Sequence, residues 1–284
     1  MLDALIDAAI DSLKLLPFLF LTYLVMEYIE HKTSAKAKLS IQKSGKFGPF
    51  IGSLLGIVPQ CGFSAAAASL YAGRIITLGT LIAIFLSTSD EMIPILLSEA
   101  APLSLIFKIL GIKLLVGIFW GFMIDFILHR TKQNHLDASE IEHLCENDHC
   151  HCEHGMIKSS LKHTFNIFLY IFFITLLLNI IIGLIGEDAL SHFISQQPFL
   201  GPILAGLIGL IPNCASSVIL TKLYLSSLIT PATLLSGLFV SAGVGLLILF
   251  KTNRDLKKNI QITILLYGIG VLSGLLLGWM GLQF

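Results

Sequence analysis

The chain has 284 residues, 55% of them hydrophobic and only 13% charged, with 18 Lys and Arg balanced by 18 Asp and Glu and a mean hydropathy of +0.86. This composition excludes a soluble globular domain, and the charge balance argues against a nucleic-acid partner and against an acidic solvating tail. What remains is an all-α polytopic membrane protein whose first partner is the lipid bilayer.

Residues 2–13 carry Asp3, Asp7 and Asp11 on one helical face, which predicts a short interfacial segment over 1–13 rather than a signal peptide. A helix needs about 20 apolar residues to cross the hydrocarbon layer. Runs at 14–30, 76–98, 105–128, 165–186, 231–250 and 261–282 meet or approach that length, and each predicts one helix. Two further segments, 47–73 and 200–228, are split by Pro59 and Pro212 into pieces too short to cross, so each predicts a Pro-broken helical hairpin or a pair of short helices.

The two broken segments are copies of each other. Residues 48–81 recur without a gap as 201–234, with 13 of 34 pairs identical, including Pro59/Pro212, Cys61/Cys214, Ser64/Ser217, Thr77/Thr230 and Thr80/Thr233. At the same offset of 153, Gly117 and Gly121 fall on Gly270 and Gly274, two small-xxx-small pairs suited to close helix packing. The chain thus divides into a first transmembrane repeat over 14–128, a linker over 129–163 and a second repeat over 164–284, about five helical segments each.

Charge orients these elements. If each broken segment enters and leaves by one side, the loops 31–46, 129–163 and 251–258 share a compartment and hold thirteen Lys or Arg. The opposite loops, 99–104 and 187–199, hold Glu99, Glu187 and Asp188 and no Lys or Arg. The positive-inside rule then places the linker in the cytoplasm, both termini outside, and the protein across the cytoplasmic membrane. Each repeat makes an odd number of crossings, so the expected design is two inverted-topology repeats.

Three groups of residues carry chemistry. At the Pro-broken tips, backbone groups without helical partners must meet protein or water, and inverted tips would bring Gln60, Cys61, Ser64, Asn213, Cys214, Ser216 and Ser217 together near the midplane as substrate ligands. The plain alternative is that cysteine and serine pack a tight turn. Within 76–98, Ser87, Thr88, Asp90 and Glu91 form a second group. Carboxylates inside a span are costly and usually functional, and Lys113 on the next helix is placed at the right depth to pair with them, making Asp90, Glu91 and Lys113 candidates for ion coupling. Their counterparts in the second repeat are Gly243 and Val244, so this feature belongs to one half only. Glu27, Lys108 and Asp125 lie near helix ends, where snorkelling to the interface accounts for them.

The third group is the linker, where His143, Cys145, His149, Cys150, His151, Cys152 and His154 crowd into twelve residues. Imidazole and thiol at this density bind transition metals, although the spacing is not that of a zinc finger. The linker reads either as a cytoplasmic metal collector or as a flexible connection. No resident cofactor is required.

Taken together, the tip from Val58 to Ala67, the segment from Ser87 to Pro94, the His/Cys-rich loop and the tip from Ile211 to Ser216 resemble the ten-helix heavy-metal exporters, described as arsenic-efflux-permease-like proteins or manganese transporters. The resemblance implies efflux of a metal or metalloid across the cytoplasmic membrane. With no ATP-binding signature in the chain, the expected mechanism is secondary-active alternating access. The alternatives are a metal sensor acting through the loop, or an intramembrane metal-dependent enzyme. The last lacks a His-Glu-x-x-His helix, and the protein is expected not to be an enzyme. A homo-oligomer is compatible with this reading.

Overall fold

The computed structural model describes residues 47–59, 61–89, 92–130, 156–185 and 200–281, with single positions between 10 and 24. Gln60, Asp90, Glu91, the linker ligands and all of the interfacial segment but Ile10 and Leu13 lie outside the described residues, as does the side chain of Cys61. Among the described residues all regular structure is helical. In the first repeat the helices are α1 (Gly48–Gly56), α2 (Cys61–Ala72), α3 (Leu78–Ser87), α4 (Met92–Ser98) and α5 (Leu103–Arg130). After α6 (Met156–Ile185) come α7 (Gly201–Gly209), α8 (Ala215–Leu225), α9 (Pro231–Val240), α10 (Gly245–Thr252) and α11 (Leu256–Trp279).

The sequence repeat returns as a structural one, down to its caps and turns. Thr77 and Thr230 each cap the next helix, their side chains accepting the N–H of Thr80 and Thr233, and each shares a hydroxyl–hydroxyl hydrogen bond with that same threonine. α2 ends where Arg74 adopts φ 57° and Ile75 N–H reaches back to Leu70 O at 2.9 Å; α8 ends where Ser227 adopts φ 59° and Leu228 N–H reaches Leu223 O at 3.0 Å. Both are left-handed helix stops that satisfy carbonyls the helix end leaves open.

Close backbone approaches set the directions. A side chain on Gly48 would meet Thr80, one on Gly52 would meet Ile84 and one on Gly56 would meet Ser87, so α1 runs beside α3 in the same sense. α7 follows α9 in the same way, from Gly201 beside Thr233 to Gly209 beside Val240. α1 and α3 therefore begin at one level and end at one level, and α2 must carry the chain back to where it entered. With nine residues, α1 reaches only ~13 Å, about half a bilayer core. Each Pro-broken segment is a hairpin of two short helices.

α5 runs opposite to α3, with Gly121 against Gly79 and Gly117 against Ala83, and likewise to α1, with Gly121 against Pro49 and Gly117 against Ser53; α11 runs opposite to α9, with Gly270 against Val240 and Gly274 against Ser236. The small-xxx-small pairs thus pack as expected; in lipid such contacts act through dispersion and close approach rather than through release of water.

Among the described residues four helical spans have the length and hydropathy to cross a membrane: Leu78–Ser98, Leu103–Leu128, Pro231–Thr252 and Leu256–Trp279. The first and third are 75% and 89% buried, against 22% and 39% for the other two, so the α3/α4 and α9/α10 spans form the centre and α5 and α11 flank them. An exposed stripe on α5, with Phe107, Leu115, Phe119 and Phe126, faces outward as a lipid surface. Both central spans depart from the uninterrupted helices expected over 76–98 and 231–250. α3 stops at Ser87 and α4 starts at Met92, while α9 stops at Val240 and α10 starts at Gly245. The breaks fall at equivalent places in the two repeats. In the first, Ser87 and Thr88 turn their hydroxyls onto the preceding carbonyls; in the second, Gly243 takes φ 53°, a conformation glycine adopts without penalty.

Candidate functional site

Among the described residues, the two hairpin tips and the two broken spans leave backbone polar groups without helical partners. The second hairpin tip is built from its own main chain. Asn213 N–H donates to Ile211 O at 2.7 Å, and the Asn213 side-chain oxygen accepts Ala215 N–H at 3.3 Å, an arrangement that starts α8. Ser216 Oγ donates to Asn213 O at 2.9 Å and Ser217 Oγ to Cys214 O at 2.8 Å. Asn213, Cys214, Ser216 and Ser217 are all buried.

Both tips address the same break. Ser216 Oγ shares a hydrogen bond of 3.3 Å with Ser241 Oγ, at the residue where α9 ends. Four residues on, Gly245 opens α10 directly against Ser64 of the first hairpin: a Cβ there would lie 2.9 Å from the Ser64 carbonyl oxygen and 2.9 Å from the Phe85 ring. The second hairpin thus touches one lip of the 241–244 break and the first hairpin touches the other. The packing is reciprocal, with α10 lying on α2 and α4 on α8.

The first break is packed from behind by α1, whose Gly56 backs onto Ser87 and the Ile84 carbonyl. Ser87 Oγ donates to Ala83 O at 2.8 Å, Thr88 Oγ1 to Ile84 O at 2.7 Å and Ser89 Oγ to Ser87 O at 3.2 Å, all three side chains being buried. These hydroxyl protons are committed to the main chain. Their oxygen lone pairs are the part left for a ligand.

Lys113 reaches across to the second repeat, while the carboxylates of the first break, Asp90 and Glu91, lie outside the described residues. The Lys113 Nζ donates to Leu238 O at 2.7 Å and sits 6.0 Å from the centre of the Phe239 ring, so the ammonium lies on the last turn of α9 in the other repeat. Lys113 is fully buried. Asp125 departs from expectation, since it does not snorkel. Its carboxylate accepts the Thr77 hydroxyl at 2.6 Å and the Gly79 N–H at 2.9 Å, and so stands on the N-terminal turn of α3. One helix, α5, therefore supplies an anion to the positive end of α3 and a cation to the negative end of α9, each matched to the helix dipole it meets.

Of the residues singled out from sequence, Ser64, Ser87, Thr88, Asn213, Cys214, Ser216 and Ser217 are buried on the elements that meet at the two breaks. Ser241, Gly245 and the Leu238 carbonyl are additions from the structure; the 153-residue offset, which sets Ser241 against Thr88, is the signal that could have found the first. Among the described residues no three His, Cys, Asp or Glu side chains gather, so the described donors at the centre are hydroxyls, one amide, one thiol and main-chain carbonyls. That set holds cations through oxygen, with sulfur available at Cys214.

The model of the family described as "Putative, 10TM heavy-metal exporter" matches residues 1–191, which covers the first repeat, the linker and α6. No curated protein and no solved structure matches the chain. On the strength of that family match, the chain belongs to the 10TM heavy-metal exporter family.

Proposed function

We propose that this protein is a secondary-active transporter of the cytoplasmic membrane that exports a heavy-metal or metalloid ion, and that it is not an enzyme. The observation that carries this reading is the meeting of both hairpin tips at the two lips of one broken span, Ser216 at Ser241 and Ser64 at Gly245. Interrupted segments in corresponding positions of two repeats are how transporters build a midplane site. Inverted topology is supported by the reciprocal exchange of half-helices between repeats and by a hydrogen bond of 2.9 Å from Trp120 Nε1 to Ser273 Oγ, residues related to each other by the repeat offset. A residue that touches its own repeat partner lies beside the axis relating the two halves. With each hairpin re-entrant, the linker is cytoplasmic and the termini are outside.

The site comprises Gln60, Ser64, Ser87, Thr88, Asp90, Glu91, Asn213, Ser216 and Ser217, and its oxygen-rich chemistry favours a manganese-like divalent cation. Alternating access moves one repeat against the other around this centre, with Asp90 and Glu91 coupling export to an opposed ion flux. The buried thiol of Cys214, at the position equivalent to Cys61, supports a second substrate reading, an arsenical held through sulfur. His143, Cys145, His149, Cys150, His151, Cys152 and His154 would collect metal on the cytoplasmic side.

Inverted membrane vesicles test the proposal directly. Time-dependent, ionophore-sensitive accumulation of Mn²⁺ or arsenite is expected, and loss of Mn²⁺ flux in Asp90→Asn with Glu91→Gln. A sensor gives the opposite result: metal binding that disappears when 143–154 is deleted, with no flux of any metal.

A further inference from the structure

The turn that joins α10 to α11 carries Lys251, Arg254, Lys257 and Lys258 against one acid, Asp255. The equivalent turn of the first repeat, 98–105, has Glu99 and no Lys or Arg. A positive-inside signal accounts for the number of these charges, but it asks nothing of their geometry. Here the geometry is fixed. Asn253 Nδ2 donates to Asn259 Oδ1 at 2.6 Å, Asn259 Nδ2 donates back to Asn253 O at 2.8 Å, and Asn259 is buried. Asp255 accepts the Lys258 N–H and lies 3.3 Å from the Lys258 ammonium, which offsets one charge of the turn. Lys251 Nζ stands 5.2 Å from the centre of the Tyr170 ring, a cation–π contact that draws the ammonium toward α6. Arg254 and Lys257 are exposed and, among the described residues, meet no carboxylate. No Asp or Glu occurs anywhere in α6, α10 or α11.

Below this collar the surface is apolar. α11 turns Leu256, Ile260 and Ile264 outward at four-residue spacing, and α6 does the same with Phe165, Leu169 and Phe173. Fixed cations above two apolar stripes match a molecule with an anionic head and hydrocarbon tails. Basic pockets between transmembrane helices are how membrane proteins hold such head groups, and a collar already ordered loses little freedom on binding.

We propose that the α10–α11 turn and the adjoining face of α6 form a seat for an anionic phospholipid, its phosphate on Lys251, Arg254 and Lys257 and its acyl chains along α6 and α11. The charge pattern that assigns this turn to the cytoplasm also assigns it to the leaflet with the negative surface potential. α10 begins at Gly245, packed on Ser64 of the first hairpin, and ends at Thr252 inside the turn. An occupied seat therefore steadies the half-helix against which the first hairpin rests, whatever ion the protein carries.

The test uses the full chain in nanodiscs of phosphatidylcholine, with and without phosphatidylglycerol. Native protein should unfold at a higher temperature when phosphatidylglycerol is present, and native mass spectra from mixed nanodiscs should retain it in preference to phosphatidylcholine. Arg254→Gln with Lys257→Gln should weaken that preference by about fivefold for each charge removed. Tyr170→Leu alters no charge but removes the ring that draws Lys251, so the preference should fall; Tyr170→Phe keeps the ring and should behave as native. Lys108→Gln removes an exposed lysine from α5, outside the seat, and should also behave as native. Unfolding in phosphatidylcholine alone shows that each variant is folded. A native chain that does not distinguish the two lipids overturns the proposal, as do folded Arg254/Lys257 and Tyr170→Leu variants with native preference. An equal loss in Lys108→Gln would reduce the effect to diffuse charge, and inorganic phosphate that reproduces the stabilisation in phosphatidylcholine would make the seat a free-anion site; either result also overturns it.

Discussion

The carboxylate of Asp125 accepts the hydroxyl proton of Thr77 at 2.6 Å, and thereby locks the flanking helix α5 to the residue that caps the buried helix α3. It also takes the Gly79 N–H at 2.9 Å, one of the donors a helix N-terminus leaves open. Hydrogen bonds to a charged group contribute about 1.5–3 kcal/mol each. Asp125→Ala is expected to lower stability by about 2–3 kcal/mol, and Asp125→Asn by less, because the amide retains an acceptor. Thermal unfolding in nanodiscs measures both. An Asp125→Ala protein of native stability would return the residue to the snorkelling role read from its position alone.

Residues 241–244 show where sequence stops being informative. Pro59 and Pro212 announce their breaks, because proline removes a donor and crowds the preceding turn. Ser241, Ala242, Gly243 and Val244 are small and apolar enough to pass for a continuous span, and the break they form is visible only when set against Thr88 in the first repeat. Lys113 illustrates the same limit. Its depth is legible by counting residues, yet the Leu238 main-chain carbonyl it bonds becomes available only once α9 is known to stop. Asp125 escapes a sequence reading for a related reason, since a helix start reached from a neighbouring helix leaves no mark in the sequence. The tips are legible because polar residues beside proline in an apolar segment have few structural explanations; what they touch is not, since Gly245 carries no side chain to betray a contact.

Gly245 supplies the second prediction. A methyl group there would press on the Ser64 main-chain oxygen at 2.9 Å, on Ser64 Cβ at 2.9 Å and on the Phe85 ring at 2.9 Å. Main chain cannot rotate away, so Gly245→Ala must separate α10 from α2. Overpacking of this kind costs about 1–3 kcal/mol, and Gly245→Val should cost more. Both should also lose transport, because the contact that moves apart joins the first hairpin to the second break. By contrast Gly111 and Gly268 have open space where a Cβ would stand, and alanine at either should leave stability and flux close to native. Paired measurement of unfolding midpoint and vesicle flux for the four variants checks the distinction.

Asp255, in the loop before α11, gives a pH signature away from the membrane. Its side chain accepts the Lys258 N–H at 3.2 Å and faces the Lys258 ammonium at 3.3 Å, and this capping bond, more than the charge, holds its carboxyl below the ordinary value. A carboxylate whose folded pKa is depressed contributes stability that is fully present above its unfolded pKa and disappears as pH falls through the folded one. The gap in unfolding midpoint between native protein and Asp255→Ala should therefore be constant from neutral pH down to about pH 4 and close below it. High salt should narrow but not abolish the gap, because salt screens the Lys258 charge and leaves the main-chain bond. A gap that widens on acidification contradicts the assignment.

The thiols decide between the two substrates. Cys61 opens α2 and Cys214 precedes α8, equivalent positions on the two hairpins, and each hairpin reaches one lip of the same break. Serine in both places keeps the volume near that of cysteine and supplies oxygen instead of sulfur. A hard divalent ion held by hydroxyl, amide and carboxylate oxygens should tolerate the exchange, whereas trivalent arsenic, which bonds through thiolate sulfur, should not. For Cys61→Ser with Cys214→Ser, Mn²⁺ flux within about threefold of native is expected, a difference of about 0.65 kcal/mol or less. Arsenite flux, where the native protein shows any, should fall by at least tenfold. Loss of Mn²⁺ flux in a folded double variant would move the thiols into the metal site and make a soft ion such as Cd²⁺ the better substrate. Unchanged arsenite flux would leave Cys214 as a packing residue beneath Ser217, whose hydroxyl already donates to its carbonyl at 2.8 Å.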